Sequence, residues 1–269
     1  MNLNEKYENL KNYIASLNSV AVAFSGGVDS TLLLKISHDV LGDKAAAVTV
    51  KSDFIPDREL EEANDFCEKN KITQIILPVD ILSIDGLKGN PENRCYICKK
   101  NLFTKILDTA EKNNLACVIE GSNLDDLGDY RPGLQAVKEL KIKSPFVTAN
   151  FSKKEIRELS QKLNLKTWSK PSFACLASRF IYGEEITKSK LKMVNDAEDV
   201  LISLGFKQFR VRLHGKIARI EILPEDFEKI LGEKTRGKIY DELKNLGFSY
   251  VTLDLKGYRT GSMNENLIK

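Results

Sequence analysis

The sequence has little of what marks membrane, fibrous or nucleic-acid-binding proteins. No apolar run approaches the roughly 18 residues of a membrane-spanning helix, so we expect no membrane partner. The 41 basic and 38 acidic side chains leave a formal net charge of only +3, which gives no reason to expect a nucleic-acid partner. Repeats and low-complexity segments are also lacking. The hydrophobic fraction of 42% is ordinary for a globular protein.

Cysteine and histidine are both scarce. Five cysteines are an odd number, and the polar first ten residues contain no apolar signal core, so a secreted disulfide framework is not expected. We therefore expect a cytoplasmic protein whose cysteines serve packing, metal binding or chemistry. The two histidines, His38 and His214, have no ligand spacing to another residue, which disfavours zinc.

Short apolar runs alternate with amphipathic helical segments over the first two thirds of the chain. The predicted strands are 20–24, 45–50, 72–77 and 115–120. This alternation predicts an α/β fold with a parallel sheet covered by helices. After about residue 180 the pattern changes to a long helix followed by closely spaced strands and further helices. We expect two domains, residues 1–180 and a smaller α+β domain at residues 181–269.

The strongest motif stands between the first predicted strand and the next helix. It reads Ser25, Gly26, Gly27, Val28, Asp29 and Ser30. Glycines allow a sharp turn, and successive N–H groups at a helix N-terminus bind anions. No lysine follows in the Walker A spacing, and the glycines do not form a dinucleotide fingerprint. The alternative is an ordinary glycine-rich turn.

Asp29 is unusual in a site for anions. A carboxylate beside phosphates is favourable if it holds Mg²⁺ or the waters around that ion. It could equally cap the helix that follows. The sequence leaves both interpretations open.

A second candidate segment follows the fourth predicted strand, where open α/β sheets bind ligands. It contains Gly121, Asn123 and Asp126. The alternative interpretation is an Asx turn with no ligand.

Three of the five cysteines suggest chemistry. Cys95 and Cys98 form a CxxC, and Cys175 lies in a proline-led loop near Arg179. A CxxC by itself is compatible with zinc, a redox disulfide or an iron–sulfur cluster. The three thiolates together could hold a 4Fe-4S cluster with one open iron. Cys67 and Cys117 fall at apolar positions of a helix and a strand, which favours packing.

The phosphate loop resembles that of the N-type ATP pyrophosphatases, the PP-loop superfamily. The resemblance implies cleavage of ATP between the α- and β-phosphates, with AMP transferred to a substrate oxygen. It also implies that Val50 and Ser52, at the end of the second strand, adjoin the adenine. Gly121, Asn123 and Asp126 match an element that supports the nucleotide pocket.

Two longer segments, 121–134 and 171–187, together with the phosphate loop, are similar to the LarE family. That resemblance covers nearly the whole chain. It implies an ATP-dependent sulfur transferase that converts a pyridinium carboxylate mononucleotide into a thiocarboxylate for a nickel-pincer cofactor. One branch of the family gives up the sulfur of the cysteine matching Cys175. The other adds a CxxC and builds a 4Fe-4S cluster, which implies that sulfide or another sulfur donor supplies the sulfur.

The resemblance also assigns a role to arginines near the C-terminus. Arg210 and Arg212 share one face of a predicted strand, and Arg259 stands in a loop flanked by glycines. Arginine forks suit phosphate, and in the family these strands bind the phosphate of the substrate. The alternative is a solvated edge strand. We also expect a homo-oligomer.

Two other enzyme classes share the ATP chemistry. A tRNA thiolation enzyme is the main alternative, but no cysteines remain for its usual zinc fingers. An amidating synthetase would leave the CxxC and Cys175 without a role.

Overall fold

The computed structural model describes residues 1–128, 132–259 and 261–264. Contacts divide the chain into two compact units. The first unit comprises residues 1–84 and 93–173, and the second comprises residues 85–92 and 174–269. No helix in the described part of the chain is long and apolar enough to cross a membrane.

The first unit is built on a parallel four-stranded sheet with the order β3-β2-β1-β4. Its strands are β1 (Val20–Ala23), β2 (Ala45–Lys51), β3 (Gln74–Pro78) and β4 (Cys117–Ile119). Small and β-branched residues fill β1 and β2, so both strands are almost wholly buried between helices. This confirms the predicted α/β fold and its four parallel strands.

Helices cover this sheet and follow the predicted alternation. The helices of the first unit are α1 (Leu3–Ala15), α2 (Val28–Leu41), α3 (Asp57–Asn70), α4 (Arg94–Lys112), α5 (Pro132–Glu139), α6 (Pro145–Thr148) and α7 (Lys153–Lys162). The core includes Leu32, Leu33 and Ile36 of α2, all fully buried. A capping box begins α7, with Ser152 as the N-cap and Glu155 as its reciprocal partner. The sequence pattern did not predict α5 or α6.

The second unit contains a mixed three-stranded sheet with the order β5-β6-β7. Its elements are β5 (Phe209–His214), β6 (Ile217–Ile222), β7 (Tyr250–Leu253), α8 (Lys188–Ser203), α9 (Phe227–Leu231) and α10 (Glu233–Asn245). β5 and β6 form an antiparallel hairpin, and β7 pairs with β6 in parallel. The sequence pattern did not reveal that residues 85–92 belong here. They are held by Asn90, which is fully buried and donates to the carbonyl of Ile181 at 2.6 Å.

Candidate functional site

The phosphate loop joins the end of β1 to the start of α2, as predicted. Gly26 adopts a left-handed conformation with φ of 69°, and Gly27 is the N-cap of α2. The hydroxyl of Ser30 is 3.1 Å from that of Ser25, accepts from the Ser25 N–H at 3.3 Å and donates to the Gly27 carbonyl at 3.3 Å. The two serines therefore hold the loop in a turn at a helix N-terminus, an arrangement that binds anions.

Asp29 does not cap α2. The N-cap Gly27 has no side-chain cap, and the Asp29 carboxylate instead accepts from the Nδ2 of Asn123 at 3.3 Å and pairs with Lys153. The capping interpretation is therefore wrong. Asp29 is a partly exposed carboxylate beside the anion loop, and its negative charge is compensated by a lysine at the start of α7.

The loop after β4 lies against the phosphate loop. It is an Asx turn, in which the Asp125 N–H donates to Asn123 Oδ1 at 3.0 Å and the Asn123 N–H donates to Asp126 Oδ2 at 3.0 Å. The approach is close: a Cβ on Gly121 would lie 3.0 Å from the Cβ of Asp29. The Asx turn is therefore present, and it directs the Asn123 side chain towards Asp29 beside the phosphate loop.

The remaining nucleotide residues predicted in the first unit stand at the same sheet edge. Val50 lies near the end of β2, and Ser52 directly follows that strand. Because β1 and β2 are parallel, their carboxyl ends meet where the phosphate loop begins. Sequence reasoning missed Glu120, which is buried after β4 and accepts from the hydroxyls of Ser122 and Ser144.

The three candidate sulfur residues are free thiols in two units. Cys95 and Cys98 lie near the start of α4 in the first unit and are half-buried, whereas Cys175 is exposed in the second. Among residues 1–128, 132–259 and 261–264, no group of three or more His, Cys, Asp or Glu side chains is placed to hold a metal ion. The donor chemistry of the three thiols suits an iron–sulfur cluster.

The other two cysteines have the environment of packing residues. Cys67 is buried in the core of the first unit, and burial raises the pKa of its thiol to about 12. Burial also raises the pKa of Cys117 in β4. Neither thiol ionises readily, which fits a role in packing.

A buried ion pair fixes the loop that carries Cys175. Arg179 is 1% exposed and binds Glu198 of α8 through Nε and Nη2, both at 2.8 Å. Its Nη1 donates to the carbonyls of Ala174 and Cys175 at 2.6 and 3.2 Å. Burial would raise the pKa of Glu198, but the guanidinium of Arg179 lowers it below its usual value. Removal of one partner from such a pair costs about 3–5 kcal/mol, so the charge of each depends on the other.

A cationic cavity of about 130 Å³ lies in the second unit. Its lining consists of Ser178, Arg179, Phe180, Ile181, Arg212, His214, Arg219, Ser262 and Met263. Within the described residues, three buried nitrogens of this lining have no hydrogen-bond partner: the Nε atoms of Arg212 and Arg219 and the Nε2 of His214. Unpaired buried donors are costly, so an anion that accepts from them would be favoured.

The predicted arginines occupy different places around this region. Arg212 lines the cavity and also donates to Glu221 and Ser262, at 3.0 and 2.8 Å. Arg210 and Arg259 are not part of the lining. Arg210 stacks on Tyr258 with 5.1 Å between guanidinium carbon and ring centroid, and Arg259 pairs with Asp254 at 3.3 Å. Burial, followed by the charge of Arg179, lowers the pKa of Arg210 to about 10.

Two further lining residues were missed from the sequence. Arg219 stands directly opposite Arg212 in the β5–β6 register, and His214 ends β5. Burial, followed by the charge of Arg219, lowers the pKa of His214. Arg219 could have been predicted from the β5–β6 hairpin, because the hairpin places that residue opposite Arg212.

The parallel sheet and its glycine-rich anion loop define an ATP-using PP-loop domain. A sequence model of the NAD synthase family matches residues 2–106. The pyridinium-3,5-bisthiocarboxylic acid mononucleotide synthase of Lactiplantibacillus plantarum is 40% identical over 257 residues, 95% of this chain and 92% of that protein. The chain belongs to that family, the LarE family.

Two other relatives mark the breadth of this similarity. The uncharacterized protein slr1717 of Synechocystis is 43% identical over 99% of this chain and 100% of its own length. A component of the glutamine-hydrolyzing GMP synthase of Thermoplasma volcanium is 27% identical over 72% of this chain and 66% of its own length. Similarity to the GMP synthase is thus weaker and covers less of the chain.

Substitution of Gly27 by valine tests the phosphate loop. The fold should survive, because a Cβ at Gly27 meets only the Ser25 hydroxyl, at 3.5 Å. Pyrophosphate release from ATP should be lost, because the side chain blocks the approach of phosphate to the backbone. Gly237→Val, at an open position of α10, is the matched control and should retain full release. Unchanged release by the Gly27 variant in the presence of substrate would refute the assignment.

Proposed function

We propose that this chain is an AMP-forming sulfur transferase that converts a carboxylate of a pyridinium mononucleotide into a thiocarboxylate. The relative from Lactiplantibacillus plantarum is named as the synthase of the corresponding bisthiocarboxylic acid. The observation that carries the proposal is the combination of an ATP phosphate loop with a separate anion cavity and an exposed cysteine whose loop is fixed by a buried ion pair.

The first chemical step is adenylation at the phosphate loop. A carboxylate oxygen of the substrate attacks the α-phosphorus of ATP, and the bond to the β-phosphate oxygen breaks to release pyrophosphate. The loop N–H groups and the hydroxyls of Ser25 and Ser30 would bind the phosphates. Asp29 would hold Mg²⁺, and Lys153 would compensate that carboxylate until the ion arrives. Gly121, Asn123 and Asp126 would support the nucleotide pocket next to Asp29. Val50 and Ser52 would lie beside the adenine.

The second step is displacement of AMP by sulfur. A sulfur nucleophile attacks the activated carbonyl carbon, and AMP leaves with one former carboxylate oxygen. Cys175 is the residue assigned to sulfur delivery, and the Arg179 contacts to its backbone carbonyl would fix its position. The arginine thus acts on the geometry of the loop.

Cys95, Cys98 and Cys175 are the residues that would hold a 4Fe-4S cluster. Thiolates are the ligands that such clusters take, and three of them leave one iron open. When bound, the cluster would supply a site for an extra sulfide obtained from a sulfur donor.

The phosphate of the mononucleotide would bind in the cationic cavity. Arg212, Arg219 and His214 each present a nitrogen that lacks a partner in the described residues, and a phosphate oxygen can accept from each. Arg210 and Arg259 contribute positive charge from outside the lining. Two anion sites, one for ATP and one for substrate, are what adenylation of a nucleotide requires.

Arg212→Lys tests whether the cavity binds the substrate phosphate, because this substitution removes the guanidinium but retains the positive charge. Loss of the planar fork should raise KM for the mononucleotide about tenfold or more, because a charge-assisted hydrogen bond contributes about 1.5–3 kcal/mol. KM for ATP should change little. Arg259→Ala, outside the lining, is the control and should raise KM for the mononucleotide less. Equal loss of affinity for both ligands in the Arg212 variant would contradict two separate sites.

The cysteines are tested by single alanine substitutions after anaerobic reconstitution with iron and sulfide. Alanine at position 95, 98 or 175 should abolish the cluster, measured by absorbance and iron content, and should leave ATP affinity intact. Cys67→Ala and Cys117→Ala should reconstitute normally. A mass loss of about 34 Da at Cys175 after turnover, the mass of H₂S, would instead identify sacrifice of its sulfur.

A further inference from the structure

Lys170 is a buried cation that the proposed mechanism does not use. Its side chain is 12% exposed and lies within the first unit. Nζ donates to the backbone carbonyl of Gly26 at 3.3 Å and to the carboxylates of Glu59 and Glu62 at 2.8 and 2.6 Å. One lysine thus joins the phosphate loop to α3.

The Gly26 carbonyl is an informative partner for this lysine. Gly26 has a positive φ and packs against α3, where a Cβ would lie 3.4 Å from the Cβ of Ala63. An anion-binding turn presents its N–H groups to the ligand, so its carbonyls must be bound elsewhere. A hydrogen-bond donor on the Gly26 carbonyl keeps that oxygen directed away from the phosphate. The partial negative charge of the oxygen would otherwise repel the phosphate.

Lys170 also compensates the negative charge of the two glutamates beside the phosphate loop. Glu59 is only 13% exposed in its side chain and reaches the same lysine that binds the loop. An uncompensated carboxylate here would oppose phosphate binding. Burial would lower the pKa of Lys170, but the hydrogen bonds that it donates to Glu59 and Glu62 raise that pKa above its usual value, so the lysine stays charged.

The backbone of Lys170 is itself held in place. Arg157 of α7 donates to the carbonyl of Lys170 at 3.0 Å and to that of Trp168 at 2.5 Å. The same helix begins with Lys153, the partner of Asp29. α7 therefore fixes two lysines, one directed at each end of the phosphate loop.

We infer that Lys170 is a positioning residue for ATP: it holds the Gly26 carbonyl so that the loop N–H groups are ready for phosphate. The inference rests on the ATP-binding part of the proposed function and is independent of the sulfur acceptor. We assign Lys170 no contact with the substrate or the reacting atoms. Its loss should weaken ATP binding and leave affinity for the mononucleotide unchanged.

Calorimetric titration with Mg²⁺ and ATP on the full chain provides the test. Lys170→Met should raise the Kd for ATP about tenfold to a hundredfold, the equivalent of one charge-assisted hydrogen bond. Lys170→Arg, which keeps a donor and the charge, should recover most of the affinity. Lys162→Met is the control, because it also removes a lysine paired with a glutamate, but the pair with Glu158, at 3.0 Å, lies on the surface of α7. It should bind ATP normally.

A double variant separates the carbonyl contact from simple charge compensation. If Lys170 holds the loop, Lys170→Met combined with Glu59→Gln should remain weak for ATP. Full recovery in the double variant would overturn the inference, because it would show that the lysine only neutralises Glu59. Unchanged ATP affinity in a folded Lys170→Met variant, or no recovery in Lys170→Arg, would also overturn it. If the wild type binds ATP but does not act on the mononucleotide, the proposed substrate fails while this result still stands.

Discussion

Parallel pairing of β1 with β2 and β4 is the constraint on which the candidate ATP site depends. It brings the carboxyl ends of three strands to one edge, so the segments that follow them meet there. The contact between Asn123 and Asp29 joins two loops that are 94 residues apart in the chain. Without this pairing the phosphate loop would be an isolated glycine-rich turn.

Charge at both candidate sites is compensated from inside the protein. Lys153 pairs with Asp29, and Lys170 pairs with Glu59 at the phosphate loop. Arg212 shares Glu221 with Arg219 beside the cationic cavity. Such pairs keep the cations in fixed positions in the absence of a ligand, and fixed donors lose less entropy when an anion binds. In the part of the chain that the structure describes, three nitrogens of the cavity lining, on Arg212, Arg219 and His214, still lack a hydrogen-bond partner.

The sequence predicted the first unit better than the second. Apolar strands between amphipathic helices have a strong period, and the glycine-rich loop stands where β1 ends, so both follow from local pattern. The role of Asp29 could not be predicted from its neighbours in the sequence. Its partners Asn123 and Lys153 come from distant segments, so only the folded structure shows that Asp29 does not cap the helix. The pairing of Arg259 with Asp254 could not be predicted either, because nothing in its glycine-flanked loop indicates that partner. Residues 85–92 join the second unit through the Asn90 side chain and through backbone hydrogen bonds from Gly183 and Ile186, and no hydrophobic period in the sequence indicates these contacts.

Activation of a substrate carboxylate by AMP, before sulfur replaces its oxygen, can be tested with an isotope. The mononucleotide is labelled with ¹⁸O in its carboxylates and incubated with the enzyme, ATP and a sulfur donor. Mass spectrometry then measures ¹⁸O in the released AMP. We expect one ¹⁸O atom in AMP for each thiocarboxylate formed, because the bond that breaks lies between carbon and the transferred oxygen. Thiocarboxylate formation with unlabelled AMP, or with ADP as the product, would contradict it.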